Sequence, residues 1–196
     1  MTLDANGLDL LFRAARTHHA WTDRPVAADL LEQVYDLAKM APTSANTQPM
    51  RVVFVVSPDA KERLRPCLAP GNVPQTMAAP VTAIVAQAVD FHDQLPFLFP
   101  AVPQMHTIVA GMPPEGRDRL GHQGCSLQGA YLMLAARALG LDVGPMNGFD
   151  GAKVDAAFFA DGSCKTNFLC NLGYGDPAKL YPRGPRFAFG QACQVV

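Results

Sequence analysis

Three short apolar runs are separated along the chain by amphipathic segments, and this pattern limits the possible fold more than any other feature. The apolar runs are residues 51–56, 81–87 and 168–172. Their content of Val, Ile, Leu and Phe is typical of buried strands. Apolar residues at helical spacing predict helices over residues 8–15, 30–38 and 126–139. The sequence therefore predicts an α+β fold.

Composition limits the class of protein. The 196 residues are 49% hydrophobic and 17% charged, which is enough apolar content for one compact domain over residues 1–196. A net charge of −1 without a basic run argues against a nucleic-acid partner. The longest apolar runs, such as residues 52–56, are too short to cross a membrane, and the amino terminus does not resemble a secretory signal.

Cysteine and histidine spacing excludes several kinds of site. Five scattered cysteines without a Cys-x-x-Cys pair indicate reduced thiols and a cytoplasmic location. The sequence lacks a GxGxxG cradle, a P-loop and a GxSxG elbow. His18 and His19 are adjacent, so their side chains point in different directions, and no further Cys or His has metal-ligand spacing. The sequence therefore predicts no metal site and no catalytic nucleophile.

A polar loop without charges follows the second predicted helix. Residues 42–49 read Pro-Thr-Ser-Ala-Asn-Thr-Gln-Pro. The prolines restrict the backbone, and the hydroxyl and carboxamide groups offer neutral hydrogen bonds. The loop is therefore a candidate border for a flat heteroaromatic ligand such as a flavin ring. The alternative interpretation is an ordinary connection between a helix and a strand.

Three further polar segments could meet this loop in space. They are Arg16–His19, Gly144–Phe149 and the C-terminal pair Arg183 and Arg186. Arginine offers a planar set of donors for a dianionic phosphate, as an FMN-sized ligand requires. A turn rich in Gly and Pro exposes backbone N–H groups. Taken singly, each segment could equally be a pair of solvent-facing arginines or a turn.

Two stretches are predicted to lack regular structure. Residues 88–122 hold five prolines and show little periodicity. A long irregular connection of this kind is either a lid over a binding site or a surface excursion. Residues 176–196 begin with a proline-rich segment and are predicted to form an extended C-terminal arm.

Several of these segments together resemble the FMN-dependent nitroreductase family, over nearly the full length of the chain. Arg16-Thr17-His18-His19-Ala20-Trp21 matches the opening motif of that family, and Pro25-Val26 follows it. Residues 42–49 match its Pro-Ser-x-x-Asn-x-Gln-Pro loop, and Pro145–Phe149 matches its Pro-x-x-Gly-Phe turn. Asn72 corresponds to an asparagine that precedes an Ala-Pro-Val strand in the family.

The resemblance implies an interlocked α+β homodimer with a central, mainly antiparallel sheet flanked by helices. FMN would lie at the subunit interface, with residues 42–46 supplied by the partner chain. NADH or NADPH would donate electrons, and a small molecule would accept them. The backbone N–H of Asn147 or Gly148 would face the reactive flavin nitrogen. The implied cofactor-binding residues are Arg16, Thr17, His18, His19, Pro42, Thr43, Ser44, Asn46, Gln48, Asn72, Gln75, Pro145, Met146, Asn147, Gly148, Arg183 and Arg186.

Two positions depart from the family pattern. His19 stands where the family usually has Arg or Lys, so phosphate binding would depend more on the other arginines and would be mildly sensitive to pH. Gln75 stands where related enzymes often carry Lys near the carbonyl edge of the flavin. This change would remove electrostatic support for the reduced, anionic ring.

Within the family, the chain resembles the RutE-type branch, which reduces malonic semialdehyde to 3-hydroxypropionate. The matching segments are residues 15–18, 61–66, 79–86, 137–142, 171–176 and 179–181. A broad NAD(P)H reductase of nitroaromatics or quinones is the alternative, and a flavin-binding dimer without catalysis is a third. An anionic semialdehyde would require a nearby cation, for which the candidates are His106, Arg117, Arg119 and His122. Because no segment contains an evident acid or base, solvent or a residue of 88–122 would supply protons.

Overall fold

A four-stranded antiparallel sheet forms the centre of the computed structural model, which describes residues 2–196. Its strands are β1 (Met50–Val55), β2 (Val81–Ala88), β3 (Asp142–Met146) and β4 (Cys164–Gly173). The strand order is β1-β2-β4-β3, and each neighbouring pair is antiparallel. Every residue of β2 is buried, as the apolar run at 81–87 predicts. The expected α+β fold with a mainly antiparallel sheet is confirmed.

Helices connect these strands and also lie near both ends of the chain. They are α1 (Ala5–Leu8), α2 (Ala28–Ala38), α3 (Pro58–Leu64), α4 (Val73–Ala78), α5 (Leu95–Leu98), α6 (Met105–Ala110), α7 (Pro114–Ala138), α8 (Gly151–Phe158) and α9 (Phe189–Ala192). A π-helical turn, Asp9–Arg13, continues α1. The 3₁₀ turns are Ser44–Asn46, Arg65–Cys67, Pro70–Asn72, Phe91–Gln94 and Pro177–Lys179. None of the helices within residues 2–196 is long and apolar enough to span a membrane.

Local sequence explains where several helices begin. Asp4, Ser57 and Asp150 stand at the amino-terminal caps of α1, α3 and α8, and each side chain accepts a hydrogen bond from a backbone N–H of the first turn. Such caps satisfy donors that have no partner inside the helix. Pro58 and Pro114 are the first residues of α3 and α7, where proline loses no hydrogen bond.

The core lies on both faces of the sheet. Val81, Ala83 and Val85 of β2 belong to a buried cluster with α2 and α7. Ile84, on the opposite face of the same strand, belongs to a second cluster with Leu64 of α3 and Val154 of α8. This alternation follows from the two-residue period of a strand. The sheet is therefore covered by helices on each side.

Residues 88–122 differ from the expected irregular connection. They contain the turn Phe91–Gln94, α5, α6 and the first third of α7. Their apolar side chains form a small buried cluster of their own, around Phe91, Leu95 and Val109. Helices of four to six residues are too short to show a 3.6-residue period, and the prolines suggested breaks where Pro96 and Pro114 in fact stand at helix starts.

Two other boundaries differ from the sequence expectation. Gly144, Pro145 and Met146 lie within β3, so the predicted turn is confined to the residues after Met146. Beyond the 3₁₀ turn Pro177–Lys179, the chain has no regular secondary structure except α9, and residues 181–196 are exposed to solvent. The C-terminal arm therefore lies on the surface of this protomer.

Candidate functional site

A cationic cavity of about 460 Å³ lies between the amino-terminal segment, α7 and the C-terminal arm. Its lining residues are Leu11, Phe12, Ala15, Arg16, Thr17, His19, Arg137, Tyr181, Pro182, Arg183, Gly184 and Arg186. Five of the residues predicted to bind a cofactor thus border one space. The cavity brings together the first and last polar segments of the sequence.

Hydrogen bonds to backbone carbonyls hold the arm against the amino-terminal segment. Arg183 Nη2 donates to the carbonyl oxygens of Arg13 and Ala15, at 2.9 and 2.8 Å. Those carbonyls lie at the end of the Asp9–Arg13 turn and just after it, and they have no partner inside the turn. Arg16 Nη2 donates in return to the carbonyl oxygen of Tyr181. Each of these guanidinium groups has five N–H donors, so most remain available to a ligand.

The arginines of this cavity form no ion pair within the described part of the chain. Within residues 2–196, none of Arg16, Arg137, Arg183 and Arg186 lies within ion-pair distance of an acidic side chain. Burial lowers the pKa of Arg137, Asp142 acts in the opposite direction, and the positive charge of Arg183 adds a smaller lowering. An anion would relieve this repulsion and accept hydrogen bonds from the planar guanidinium donors. The cavity therefore has the chemistry of a phosphate-binding site.

A chain of side-chain hydrogen bonds leads away from the cavity. His19 Nδ1 lies 2.6 Å from Gln75 Oε1, and because a carboxamide oxygen only accepts, Nδ1 is the donor. Gln75 Nε2 donates to Asn72 Oδ1 at 2.6 Å, and Asn72 Nδ2 donates to the carbonyl oxygen of Gly148 at 2.9 Å. Three separate polar segments of the sequence are thus connected. The two departures from the family pattern, His19 and Gln75, bond directly to each other.

The backbone at Gly148 is fixed by close contacts. A Cβ added at this position would lie 2.3 Å from Asn72 Nδ2, so only glycine fits without moving Asn72. The Gly148 carbonyl also accepts a hydrogen bond from the N–H of Ala69 at 3.0 Å. These contacts hold the turn at Asn147 and Gly148 rigidly at the end of β3.

His18 points away from the cationic cavity. Its side chain is buried, with Nε2 at 3.3 Å from Asp142 Oδ1. Desolvation by burial lowers the pKa of His18, although Asp142 acts in the opposite direction. A Cβ on Gly175 would lie 1.8 Å from His18 Nδ1, so the imidazole packs directly on that backbone. The two adjacent histidines diverge, and only His19 borders the cavity.

A second cavity, of about 500 Å³, lies beside the end of β3. It is lined by His122, Ser126, Met133, Pro145, Met146, Asn147, Asn167 and Phe168. Sequence reasoning placed Pro145, Met146 and Asn147 at a ligand and named His122 only as a source of charge. It missed Asn167, Ser126 and, in the cationic cavity, Arg137. Helical spacing offers a signal for some of these, because positions 122, 126, 133 and 137 share one face of α7.

The loop at 42–48 lies apart from both cavities. Pro42, Asn46 and Gln48 border a different space of about 470 Å³, and neither Thr43 nor Ser44 lines any of the three cavities. Asn46 Nδ2 donates to the carbonyl of Leu98 at 2.8 Å. Ala45, Asn46 and Gln48 have φ angles of 49°, 50° and 44°, a conformation that is unfavourable for residues other than glycine. The loop is held in a strained shape by its own protomer.

The comparison with known families identifies the relatives of this chain. The model described as "Nitroreductase family" matches residues 13–174. This range includes the amino-terminal motif, the 42–48 loop and the Gly148 turn, but not the two arginines of the arm. The chain belongs to the nitroreductase family. Among curated relatives of this family, a protein of Stenotrophomonas maltophilia named "Putative NADH dehydrogenase/NAD(P)H nitroreductase" is 58% identical over 197 residues, which cover 99% of this chain and 98% of the relative.

Solved structures share the nitroreductase fold at lower sequence identity. A "putative nitroreductase in complex with FMN" from Exiguobacterium sibiricum superposes with a TM-score of 0.87 at 21% identity, covering 100% of this chain and 99% of the other. A "putative NAD(P)H:FMN oxidoreductase" from Staphylococcus epidermidis superposes with a TM-score of 0.85 at 17% identity, covering 100% and 98%. The nitroreductase-like fold expected from the sequence motifs is therefore confirmed.

Proposed function

We propose that this chain binds FMN and transfers hydride from NADH or NADPH, by way of the cofactor, to a small-molecule acceptor. The observation that carries this proposal is the cationic cavity, which holds four arginines without a carboxylate partner and continues into hydrogen-bonding side chains that lead to Gly148. The printed names of the family relatives are consistent with it, since they refer to FMN and to NAD(P)H.

The residues present fit the parts of FMN. Arg16, Arg183 and Arg186 would hold the phosphate, with Arg137 adding charge at one wall. His19, Gln75 and Asn72 offer both donors and acceptors along a path that a flat ring with carbonyl and ring-nitrogen groups could follow. When bound, FMN supplies the hydride chemistry itself, and the protein supplies binding, orientation and control of access.

The side chains of this chain have supporting tasks in that reaction. The arginines would neutralise the phosphate, and the rigid turn at Asn147 and Gly148 would present a backbone N–H to the ring. The chain of hydrogen bonds from His19 keeps that turn in place. No Asp, Glu or Cys lines either the cationic cavity or the cavity beside β3. We therefore assign no carboxylate or thiol as a general acid or base among the cofactor contacts.

The cavity beside β3 favours a neutral acceptor, such as a nitroaromatic compound or a quinone. Its lining contains no Lys or Arg, and the polar groups are imidazole, hydroxyl and carboxamide. Of the four residues suggested as cations for an anionic semialdehyde, only His122 borders this cavity. Arg117 instead donates to the carbonyl of Ala110, and His106 lies 3.1 Å from Asp93.

Malonic semialdehyde is the second candidate acceptor. It is favoured by the long segments that resemble the RutE-type branch, including residues 79–86 and 171–176. Its carboxylate would require a cation that the described cavity offers only through His122. The two candidates therefore differ in whether turnover depends on the carboxylate of the acceptor.

An anaerobic visible spectrum tests the proposal. The purified protein, loaded with FMN, would be mixed with NADH or NADPH and then with tetramethyl-1,4-benzoquinone or malonic semialdehyde. We expect the flavin absorbance to bleach with the nicotinamide and to return promptly with the quinone. Faster return with the semialdehyde would favour the second candidate. A flavin that neither nicotinamide reduces would leave a non-catalytic flavin-binding protein, and failure to take up FMN would overturn the whole proposal.

A further inference from the structure

Three polar residues, which we call the polar corner, lie together in the lining of the cavity beside β3. His122 and Ser126 lie one turn apart on α7, and Asn167 faces them from β4. The remaining lining is mostly apolar, from Met133, Pro145, Met146 and Phe168. A cavity with apolar walls and a few convergent polar groups is typical of a small-molecule site. None of the three polar residues is needed to explain cofactor binding.

Contacts within this corner favour one tautomer of His122. Asn167 Nδ2 lies 3.3 Å from the His122 carbonyl oxygen and 3.1 Å from Ser126 Oγ. Because a carbonyl oxygen only accepts, the Asn167 atom that faces it must be the amide nitrogen. The same nitrogen lies 3.3 Å from His122 Nδ1. Its two hydrogens serve two of these three neighbours, and a bond to Nδ1 makes Nδ1 the acceptor. In the neutral imidazole the proton is then on Nε2.

The Nε2–H group of His122 is available to a ligand. Among the hydrogen bonds within residues 2–196, none involves this atom, and the His122 side chain is exposed. The corner therefore presents one free donor to the cavity that contains Asn147.

Helix α7 connects this corner to the cationic cavity. Arg137 and Met133 are four residues apart, and Ser126 and His122 continue the same face. Arg137 lines the cationic cavity, whereas the other three line the cavity beside β3. At 1.5 Å per residue, the 15 residues from 122 to 137 span about 22 Å. One face of α7 thus contributes residues to both cavities.

We infer that His122 is a substrate-binding residue, which donates a hydrogen bond from Nε2 to the oxygen of the acceptor, and that Asn167 is the residue that positions it. The acceptor class is a small electrophile that ends in oxygen, such as a quinone or an aldehyde. On reduction the acceptor gains one hydride from the reduced cofactor and one proton from solvent, while His122 keeps its own proton. This inference rests on the proposed function.

Half-reactions measured separately by stopped flow test the inference. His122→Phe should weaken the affinity for tetramethyl-1,4-benzoquinone about 5- to 10-fold, which is the value of one hydrogen bond. His122→Gln, which retains an N–H donor, should recover part of that loss. Reoxidation of the flavin by ferricyanide should stay unchanged, because ferricyanide accepts an electron without a hydrogen-bonded oxygen.

His106→Gln is the matched control, because His106 is a half-exposed histidine of α6 that pairs with Asp93 and lines neither cavity. It should behave as the unmodified protein in every half-reaction. Equal quinone affinity in His122→Phe and the unmodified protein would overturn the inference while leaving the proposed function intact. Loss of reduction by the nicotinamide in the unmodified protein would instead overturn the proposed function.

Imidazole ¹⁵N spectra of the protein without cofactor provide a readout that does not depend on turnover. The His122 signals, identified by their absence in His122→Gln, should show a protonated Nε2 and an unprotonated Nδ1. Asn167→Asp should move the proton to Nδ1, because a carboxylate accepts and cannot donate. The same tautomer in both proteins, or a proton on Nδ1 in the unmodified protein, would contradict the assignment of the donor.

Discussion

At the scale of single residues, Lys61 is a buried cation that forms no ion pair within residues 2–196. It belongs to α3 and is only 5% exposed. Its Nζ donates to the carbonyl of Thr76 at 2.8 Å and to Thr82 Oγ1 at 2.7 Å. Desolvation by burial lowers the pKa of Lys61 from 10.5 to about 8. Two neutral acceptors compensate only part of the lost hydration of the charge.

We predict that Lys61 makes the folded protein more stable in alkaline solution. Between pH 8 and 10.5, the unfolded chain holds this proton and the folded chain has released it, so the free energy of unfolding rises with pH. The rise should total about 3 kcal/mol, since each pKa unit corresponds to about 1.4 kcal/mol. Below pH 8 the cost of the buried charge is complete and constant.

Urea unfolding at pH values from 7 to 10.5 measures this effect. Lys61→Met, which keeps most of the length of the side chain without the charge, should lack the rise. Lys179→Met, at an exposed position of the C-terminal arm, should keep it. Parallel curves for Lys61→Met and the unmodified protein would show that the Lys61 ammonium is not the group responsible.

At the scale of elements, α7 depends on glycine to approach the sheet. Gly121, Gly124 and Gly129 are buried, and a Cβ on each would meet the ring of Phe91, Pro49 or Phe168 at less than 3 Å. At Gly129 the closest approach would be 2.5 Å, to Phe168 Cε1. Each ring thus occupies the space that a side chain would otherwise take.

Gly129→Ala should therefore destabilise the protein, although alanine is the better helix former. The cost of forcing Phe168 aside is about 1–3 kcal/mol, against a gain of about 1 kcal/mol in helix propensity. Gly116→Ala, in the first turn of the same helix, meets only Met112 Cε at 3.5 Å and should be neutral or stabilising. Thermal unfolding of the two variants compares them directly, and equal midpoints would refute this account of the packing.

These glycines also explain why the sequence predicted only the carboxyl-terminal half of α7. The apolar face of residues 126–139 predicts a helix, but its amino-terminal half is rich in Gly and polar residues, so α7 begins 12 residues earlier than expected. That half is held in place by contacts of Gly121 and Gly124 with Phe91 and Pro49. Such contacts between distant segments leave no pattern in the local sequence. Strands β1, β2 and β4 were predictable from their apolar runs, whereas β3 was not, because Gly144 and Pro145 lie inside it.

The sequence likewise predicted some residues of the candidate site and missed others. Motif resemblance located Arg16, His19 and Gly148, since each lies in a compact polar segment. The hydrogen bonds that join His19, Gln75 and Asn72 depend on three elements that are distant in sequence. Asn167 gains its significance only because β4 places it opposite α7. Such residues have no signal before the tertiary structure is known.

At the scale of the whole molecule, one protomer does not bring all the predicted site residues together. Asn46 and Gln48 border their own cavity, and Asn46 is bonded to Leu98 rather than to the cationic cavity. If the 42–48 loop contacts FMN as the family resemblance implies, a second copy of the chain must supply it. A two-fold dimer would build two equivalent sites in this way.

A heterodimer of two defective chains distinguishes supply of the loop by the partner from supply by the same chain. Arg16→Glu reverses a charge in the cationic cavity, and Ser44→Trp fills space at an exposed position of the loop. Each homodimer should retain almost no FMN. If the loop acts across the interface, a heterodimer carrying one variant in each chain has one doubly damaged site and one intact site, and should retain about one FMN per dimer. If the loop serves its own chain, both sites carry one defect and the heterodimer should bind none.

Purification through two different affinity tags isolates the heterodimer, and a doubly tagged unmodified dimer with about two FMN is the control. A chain that elutes as a monomer with FMN bound would contradict the shared site altogether.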